Sequence, residues 1–392
     1  MQRSVGLDLM RAVAISLVLL QHFLDLVRMH SPWVMPFCGW ALIGVDIFFA
    51  LSGFLIGKIL LGLGSHVTEF RALLGFWTRR WLRTLPVCYV MLPARLLIMM
   101  GCLHLSWKVL LILPRYFVFM QCWASPFHGV PFFEETWSLA VEEWFYLLFP
   151  LVWAGTTCLG VRSLNGFVFA SVAMLFLSNG LRFNASLGNP PNWLAGFYMV
   201  TVYRFDSVAL GLLAAALDAT HGRIWARLRW PGLCLGLTLL WLDRHQTMGA
   251  TSFDKNKNEF LYRYLCIGHF PVSGLGSALL LPWFVGVKKL FWLPLQNLVG
   301  IISRWSYSLY LTHGMFVALA WIMFSAQIKN SSFGAWMTLV IVSCLSFVLA
   351  GVLHEWIEIP AMNLRERWKL SRRASATPVG LIAPAGRSQG TG

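Results

Sequence analysis

The chain has 392 residues, of which 58% are hydrophobic and 12% charged, against roughly 25% charged in a soluble globular protein; that balance and its twenty tryptophans point to a bilayer rather than to solution. The net charge of +15 does not point to nucleic acid, because the basic residues lie between apolar runs instead of forming one aromatic-interleaved patch, and the positive-inside rule accounts for them there. The eight cysteines (Cys38, Cys88, Cys102, Cys122, Cys158, Cys234, Cys266 and Cys344) are scattered without a C-x-x-C pair, so they give no disulfide framework and no metal site.

The expected fold is all-α, a polytopic bundle of about ten spans, since runs of about twenty apolar residues cross a bilayer core. The runs lie near 9–28, 40–61, 84–103, 137–155, 164–182, 198–217, 231–243, 266–286, 298–324 and 334–357. A further piece, 109–123, holds Pro114 and Arg115 and reads as interfacial or re-entrant. The first run has no small-residue cleavage site after it and is expected to stay as a membrane helix. Arg71, Arg79, Arg80 and Arg83, then Arg223, Arg227 and Arg229, then Lys288 and Lys289, with Arg365, Arg367, Lys369, Arg372 and Arg373 at the end, set both termini on the cytoplasmic side. Residues 1–368 form the membrane domain, and 369–392 a disordered basic cytoplasmic tail.

In chain order, the first run, LDLMRAVAISLVLLQHF, carries Arg11 and His22. Eleven residues of helix rise about 16.5 Å and turn about 20° past three full turns, which puts both side chains on one face at two depths. Arg11 can snorkel to headgroups. His22 lies deeper, where an imidazole needs a polar partner, and a structural hydrogen bond competes with a catalytic role. Asp25 either orients that ring or marks the outer end of the span.

After GVDIFFALSGFLIGKIL comes RRWLRTLPVCY with Arg79, Arg80 and Arg83. The cluster obeys the positive-inside rule; its guanidinium forks also suit an anionic cytosolic donor. No P-loop and no G-x-G-x-x-G fingerprint accompanies it, so a phosphate site would be built of side chains. ETWSLAVEEWFYLLFP puts two carboxylates inside an apolar run. Glu142 shares a face with Ser138 and Tyr146, whereas Glu143 points about 100° away; capping at a helix start is the competing reading. YRFDSVALG sets Arg204 and Asp206 at the outer mouth of a span, and SRWSYSLYLTHG sets Tyr307, Tyr310 and His313 within one. Aromatic belts and interhelical hydrogen bonds account for either stretch alone. Ionisable groups in a membrane helix are otherwise functional by default, and a transporter or flippase for a lipid-linked glycan competes with an enzyme, although no internal repeat supports transport.

These stretches, in this order from residue 5 to about 368, resemble the integral-membrane acyltransferase-3 family. The matching residues are Arg11 and His22, GVDIFFALSGFLI, Arg80 and Arg83, WSLAVEEWFY, YRFD and SYSLYLTHG. The resemblance implies O-acyl transfer, most often of acetyl, from cytosolic acyl-CoA as co-substrate to a carbohydrate or glycolipid acceptor, by a multi-pass protein of the inner membrane and with no bound cofactor. It makes His22 the catalytic base and Arg11, Arg80 and Arg83 donor-site residues. Glu142 is added here as an acid for the acceptor or for proton transfer, with Asp25, Glu143, Tyr146, Arg204, Asp206, Tyr310 and His313 as acceptor-side or supporting groups. Trp144 departs from the family's usual polar residue and is expected to alter the acceptor side. The secreted esterase-like domain that some relatives append is not in this chain, which implies action alone or with a separate partner; acceptor, acyl chain and oligomeric state stay open.

Overall fold

A computed structural model describes residues 4–103, 109–123, 133–188, 193–248 and 258–364, and every regular element among them is helical. The basic tail from Arg365 onward, including 369–392, lies outside the described residues. The helices are α1 (Val5–Leu24), α2 (Ala41–Leu61), α3 (Phe70–Leu103), α4 (Val109–Phe117), α5 (Thr136–Cys158), α6 (Ser163–Leu187), α7 (Phe205–Thr220), α8 (Gly222–Arg227), α9 (Arg229–Met248), α10 (Glu259–Arg263), α11 (His269–Gly286), α12 (Leu293–Asn330) and α13 (Ser332–Leu353). Single π-turns precede α11 at Tyr264–Gly268 and follow α13 at His354–Glu358.

Each of the ten apolar runs falls on a helix, but among the described residues seven helices are long and apolar enough to cross a membrane. The expected count of about ten is corrected accordingly. The remaining three runs fall on α5, α7 and α9. Helix α7 has 16 residues, about 24 Å of rise against a core of about 30 Å. Helix α5 carries Glu142 and Glu143, and α9 carries Asp243 and Arg244. Helix α4 has nine residues, about 13.5 Å, which is too short to span. Pro114 and Arg115 sit inside its last turn instead of breaking it.

Helix α3 corrects a boundary. It runs 34 residues from Phe70 and contains Arg79, Arg80 and Arg83, which the charge pattern assigns to a loop. Arginine is a good helix former, and long stems let a helical arginine reach polar surroundings. Pro86 and Pro93 lie within the same helix.

Close packing in the bundle rests on small residues, since lipid offers no hydrophobic gain for bringing two apolar helices together. Gly53 and Gly57 on α2 face Val208 and Ala215 on α7, and Gly211 on α7 lies against the carbonyl of Ala50. A Cβ at Gly53 or Gly211 would enter the facing backbone. Gly232 and Gly236 on α9 repeat the arrangement against α11, where a Cβ at Gly236 would come to 2.7 Å from the Gly276 carbonyl.

The same contacts define two ends of the bundle. At one end Gly6 meets the Phe284 carbonyl, Gly286 lies beside the Arg229 guanidinium, and Lys58 pairs with Asp218 at 2.5 Å. The opposite end gathers Asp25, Gly39, Met248 and Arg244, whose guanidinium donates to the carbonyls of Pro36 and Cys38 at 2.6 and 2.7 Å. Arg11 lies toward the first end of α1 and His22 toward the second.

Candidate active site

The stripe of α1 that holds Arg11 and His22 lines two adjoining cavities. The first is bounded by Arg11, Arg80, Arg83, Glu142, Ser52 and Tyr307 among others. The second, of about 420 Å³, is bounded by Val18, His22, Asp25, Glu134, Glu135 and His313 among others. Val45 of α2 and Tyr310 of α12 line both, so they form the partition. The helical arithmetic of the first run is thus realised as two chambers served by one face, cationic toward the start of α1 and imidazole-bearing toward its end.

In the first chamber Arg11 donates to Asp8 at 3.4 Å and to Ser303 at 3.2 Å, and Ser303 donates to Asp8 at 2.8 Å. Arg80 lies 4.5 Å over the Tyr146 ring, a cation–π contact that fixes the guanidinium beside the cavity. The Tyr146 hydroxyl is 2.5 Å from that of Ser52. Ser138, Glu142 and Tyr146 therefore act on one face of α5, as their spacing requires, while Glu143 turns to α3 and accepts from Thr84 at 2.7 Å. Tyr307 donates to the Thr84 carbonyl. Arg79 does not line the chamber. Glu142, expected near the outer side, lies instead among the arginines; the carboxylates lining the His22 chamber are Asp25, Glu134 and Glu135. Helix α5 starts at the His22 end, so its second turn already reaches past the partition.

In the second chamber the rings of His22 and His313 have centroids 5.0 Å apart. Among the described residues neither ring nitrogen of His22 hydrogen-bonds to another group. The Nδ1 of His313 lies 3.1 Å from the Leu309 carbonyl, which can only accept, so Nδ1 carries a proton and the Nε2 of the neutral ring is an acceptor. That Nε2 is buried with no hydrogen-bond partner among the described residues. Asp25 does not bond to His22: it accepts from Gln21 at 3.1 Å and pairs with Arg28 at 3.3 Å. Ser138 donates to the Tyr310 hydroxyl at 2.7 Å, anchoring the partition to α5.

Arg204 and Asp206 do not sit at a mouth; both are fully buried. They also do not pair with each other. Arg204 pairs with Asp46 of α2, and Asp206 with Arg182 of α6 at 2.6 Å. Asp46 further accepts from Ser207 at 3.1 Å and Ser273 at 2.7 Å, and the Arg204 guanidinium stacks 4.4 Å from the Tyr198 ring and 4.7 Å from that of Phe270. These groups tie α2, α6, α7 and α11 together behind the second chamber. Trp144 lines neither chamber; its indole donates to the Phe119 carbonyl at 3.1 Å.

Asp46 and Arg182 are site-supporting residues that the sequence reading passes over, although a carboxylate and a guanidinium inside apolar helices are signals in their own right. Asp243 and His269 form a third buried pair at 2.8 Å. Glu135 carries a weaker signal, as an acid just ahead of a helix.

Comparison with known proteins adds a separate finding. The family profile described as an acyltransferase domain matches residues 4–355. YrhL of Bacillus subtilis, which carries a peptidoglycan O-acetyltransferase name, is 27% identical over 91% of this chain and 54% of its own length. The peptidoglycan O-acetyltransferase OatA of Listeria monocytogenes is 32% identical over 37% of this chain and 23% of its own. The O-acetyltransferase OatA of Staphylococcus aureus is 32% identical over 38% and 24%. The chain spans about half the length of YrhL and about a quarter of the OatA proteins. No solved structure matches it.

Proposed function

The chain belongs to the acyltransferase-3 family of multi-pass membrane acyltransferases, and from that premise we propose that it transfers an acetyl group from acetyl-CoA to a hydroxyl of a cell-envelope glycan. The observation that carries the proposal is the pair of chambers meeting at Val45 and Tyr310, one lined by three arginines and the other by His22, His313 and carboxylates with Arg28. Membership of an acyltransferase family weighs against the transporter reading of the same polar bundle. The names of the relatives favour peptidoglycan as the acceptor.

In this reading the phosphates of the donor rest against Arg80 and Arg83, whose planar forks suit phosphate oxygens. The pantetheine arm passes Arg11 toward Tyr310, and the thioester lies at the partition. The acceptor sugar occupies the second chamber. A hydroxyl is a weak nucleophile at neutral pH and needs a base to take its proton as it attacks. In this proposal His22 is that base, supported by its position in the second chamber beside His313. The Arg11 end then faces the cytoplasm, where acetyl-CoA is made, with both termini on that side and the chain in the inner membrane.

His22→Ala in purified full-length protein is expected to reduce acetyl transfer by about 10²-fold or more while elution and thermal unfolding stay as in the wild type. Thiol release from acetyl-CoA, with a chitopentaose acceptor, measures it. A variant as active as the wild type would remove His22 from the mechanism.

A further inference from the structure

The second chamber holds a charge that the proposed mechanism has not used. Glu135, at the mouth of α5, sends its carboxylate across to α12. One oxygen pairs with Arg95 of α3 at 3.5 Å, with the Glu135 side chain 12% exposed. The other, Oε2, is buried with no hydrogen-bond partner among the described residues. The carboxylate reaches this place because residue 314 is glycine: a Cβ there would overlap Oε1 of Glu135. Gly314 directly follows His313, whose ring stands against His22. A carboxylate, an arginine to brace it and a residue without a side chain to admit it thus come from three helices to one wall of the His22 chamber.

We infer that Glu135 is a positioning residue for His22, its carboxylate balancing the imidazolium that forms when His22 takes the acceptor proton. The inference rests on His22 being the base. Glu135 and Asp25 both line the chamber with His22. Asp25 is committed to Gln21 and Arg28, and Glu134 stands on the exposed rim. His313 offers an acceptor nitrogen but no negative charge. A buried carboxylate needs a partner charge or hydrogen bonds; Arg95 gives Glu135 a charge, while Oε2 has no hydrogen-bond partner among the described residues.

In the reaction, the acceptor O–H bond breaks and its proton passes to a ring nitrogen of His22 as the oxygen bonds to the acyl carbon. The C–S bond then breaks, the electron pair leaves on sulfur, and the His22 proton neutralises the thiolate. Glu135 takes no proton at any point; it lowers the energy of the charged intermediate form of His22.

Glu135→Gln preserves size and removes the charge. In full-length protein, with acetyl-CoA and chitopentaose as probes, kcat is expected to fall by on the order of 10²-fold with KM for acetyl-CoA unchanged, because the arginine chamber is untouched. Glu135→Asp restores part of kcat. Gly314→Ala, which displaces the carboxylate, lowers kcat in the same way, and the Glu135→Gln/Gly314→Ala double variant is no slower than the slower single variant, as two changes to one interaction require. If Glu135→Gln does not fold, Gly314→Ala decides by the same kcat and KM split. Wild-type kcat in Glu135→Gln with an inactive His22→Ala overturns the inference and leaves His22 as base, as does a loss that Asp fails to restore or that appears in KM. An active His22→Ala overturns the base assignment itself.

Discussion

A buried guanidinium is tolerable only when its charge is answered, and Asp46 answers that of Arg204, although the Arg204 Nε and Nη1 have no hydrogen-bond partner among the described residues. Arg204 has no exposed surface, its partner Asp46 is equally buried, and Ser207 and Ser273 complete the carboxylate's hydrogen bonds. Removing one member leaves the other charged and unanswered, which costs about 3–5 kcal/mol, whereas replacing both with apolar groups of similar size is often neutral. Asp46→Asn is therefore expected to lower the unfolding midpoint of detergent-solubilised protein sharply. The Asp46→Leu/Arg204→Met pair recovers most of the loss. If the double variant is as unstable as the single one, the pair is doing something other than neutralising itself. This partnership is invisible in sequence, since 158 positions separate the two residues and YRFD suggests a local pair that does not form. The relation of Arg11 to His22 was readable because it depends only on helical pitch, and so was that of Glu142 to Ser138 and Tyr146. The admission of Glu135 by Gly314 depends on how two helices meet, which no local pattern encodes.

At the level of helices, small residues set how near neighbours come. Gly211 of α7 lies against the Ala50 carbonyl and the Phe54 amide of α2, whereas Gly180 of α6 has nothing within 4 Å of where a Cβ would be. Gly211→Ala is expected to destabilise by about 1–3 kcal/mol through overpacking. Gly180→Ala, freed of that clash, stays neutral or gains up to about 1 kcal/mol from helix propensity; comparing the two melting curves separates packing from propensity. The positions of the apolar runs were legible because burial in lipid demands a continuous apolar stretch. Of the helices left out of the spanning count, α7 falls short by length, while α5 and α9 carry internal polar partners, Glu143 bonded to Thr84 and Asp243 paired to His269. A polar group satisfied inside the bundle lowers a helix's apparent hydropathy without exposing it to lipid. Helix α3 misled in the opposite way, since its arginines mark a membrane boundary by charge yet continue the helix that carries Arg95 to the other chamber.

For the molecule as a whole, the proposed function makes the partition at Val45 and Tyr310 separate binding the donor from using it. If the arginine chamber alone holds acetyl-CoA, then ligand stabilisation must follow the arginines and ignore His22. A ligand bound only by the folded state stabilises by about 2.7 kcal/mol at a hundred times its Kd, so a thermal shift with acetyl-CoA reads occupancy without any turnover. Wild-type protein and His22→Ala are expected to shift equally. Arg80→Gln/Arg83→Gln loses most of the shift, because each charge-assisted hydrogen bond is worth about 1.5–3 kcal/mol and Arg11, the arginine that remains in the chamber wall, is engaged by Asp8 and Ser303. A shift that disappears in His22→Ala but survives in the arginine variant would put the donor in the wrong chamber and reverse the assignment of the two ends. Equal shifts in all three proteins would move the donor out of both chambers.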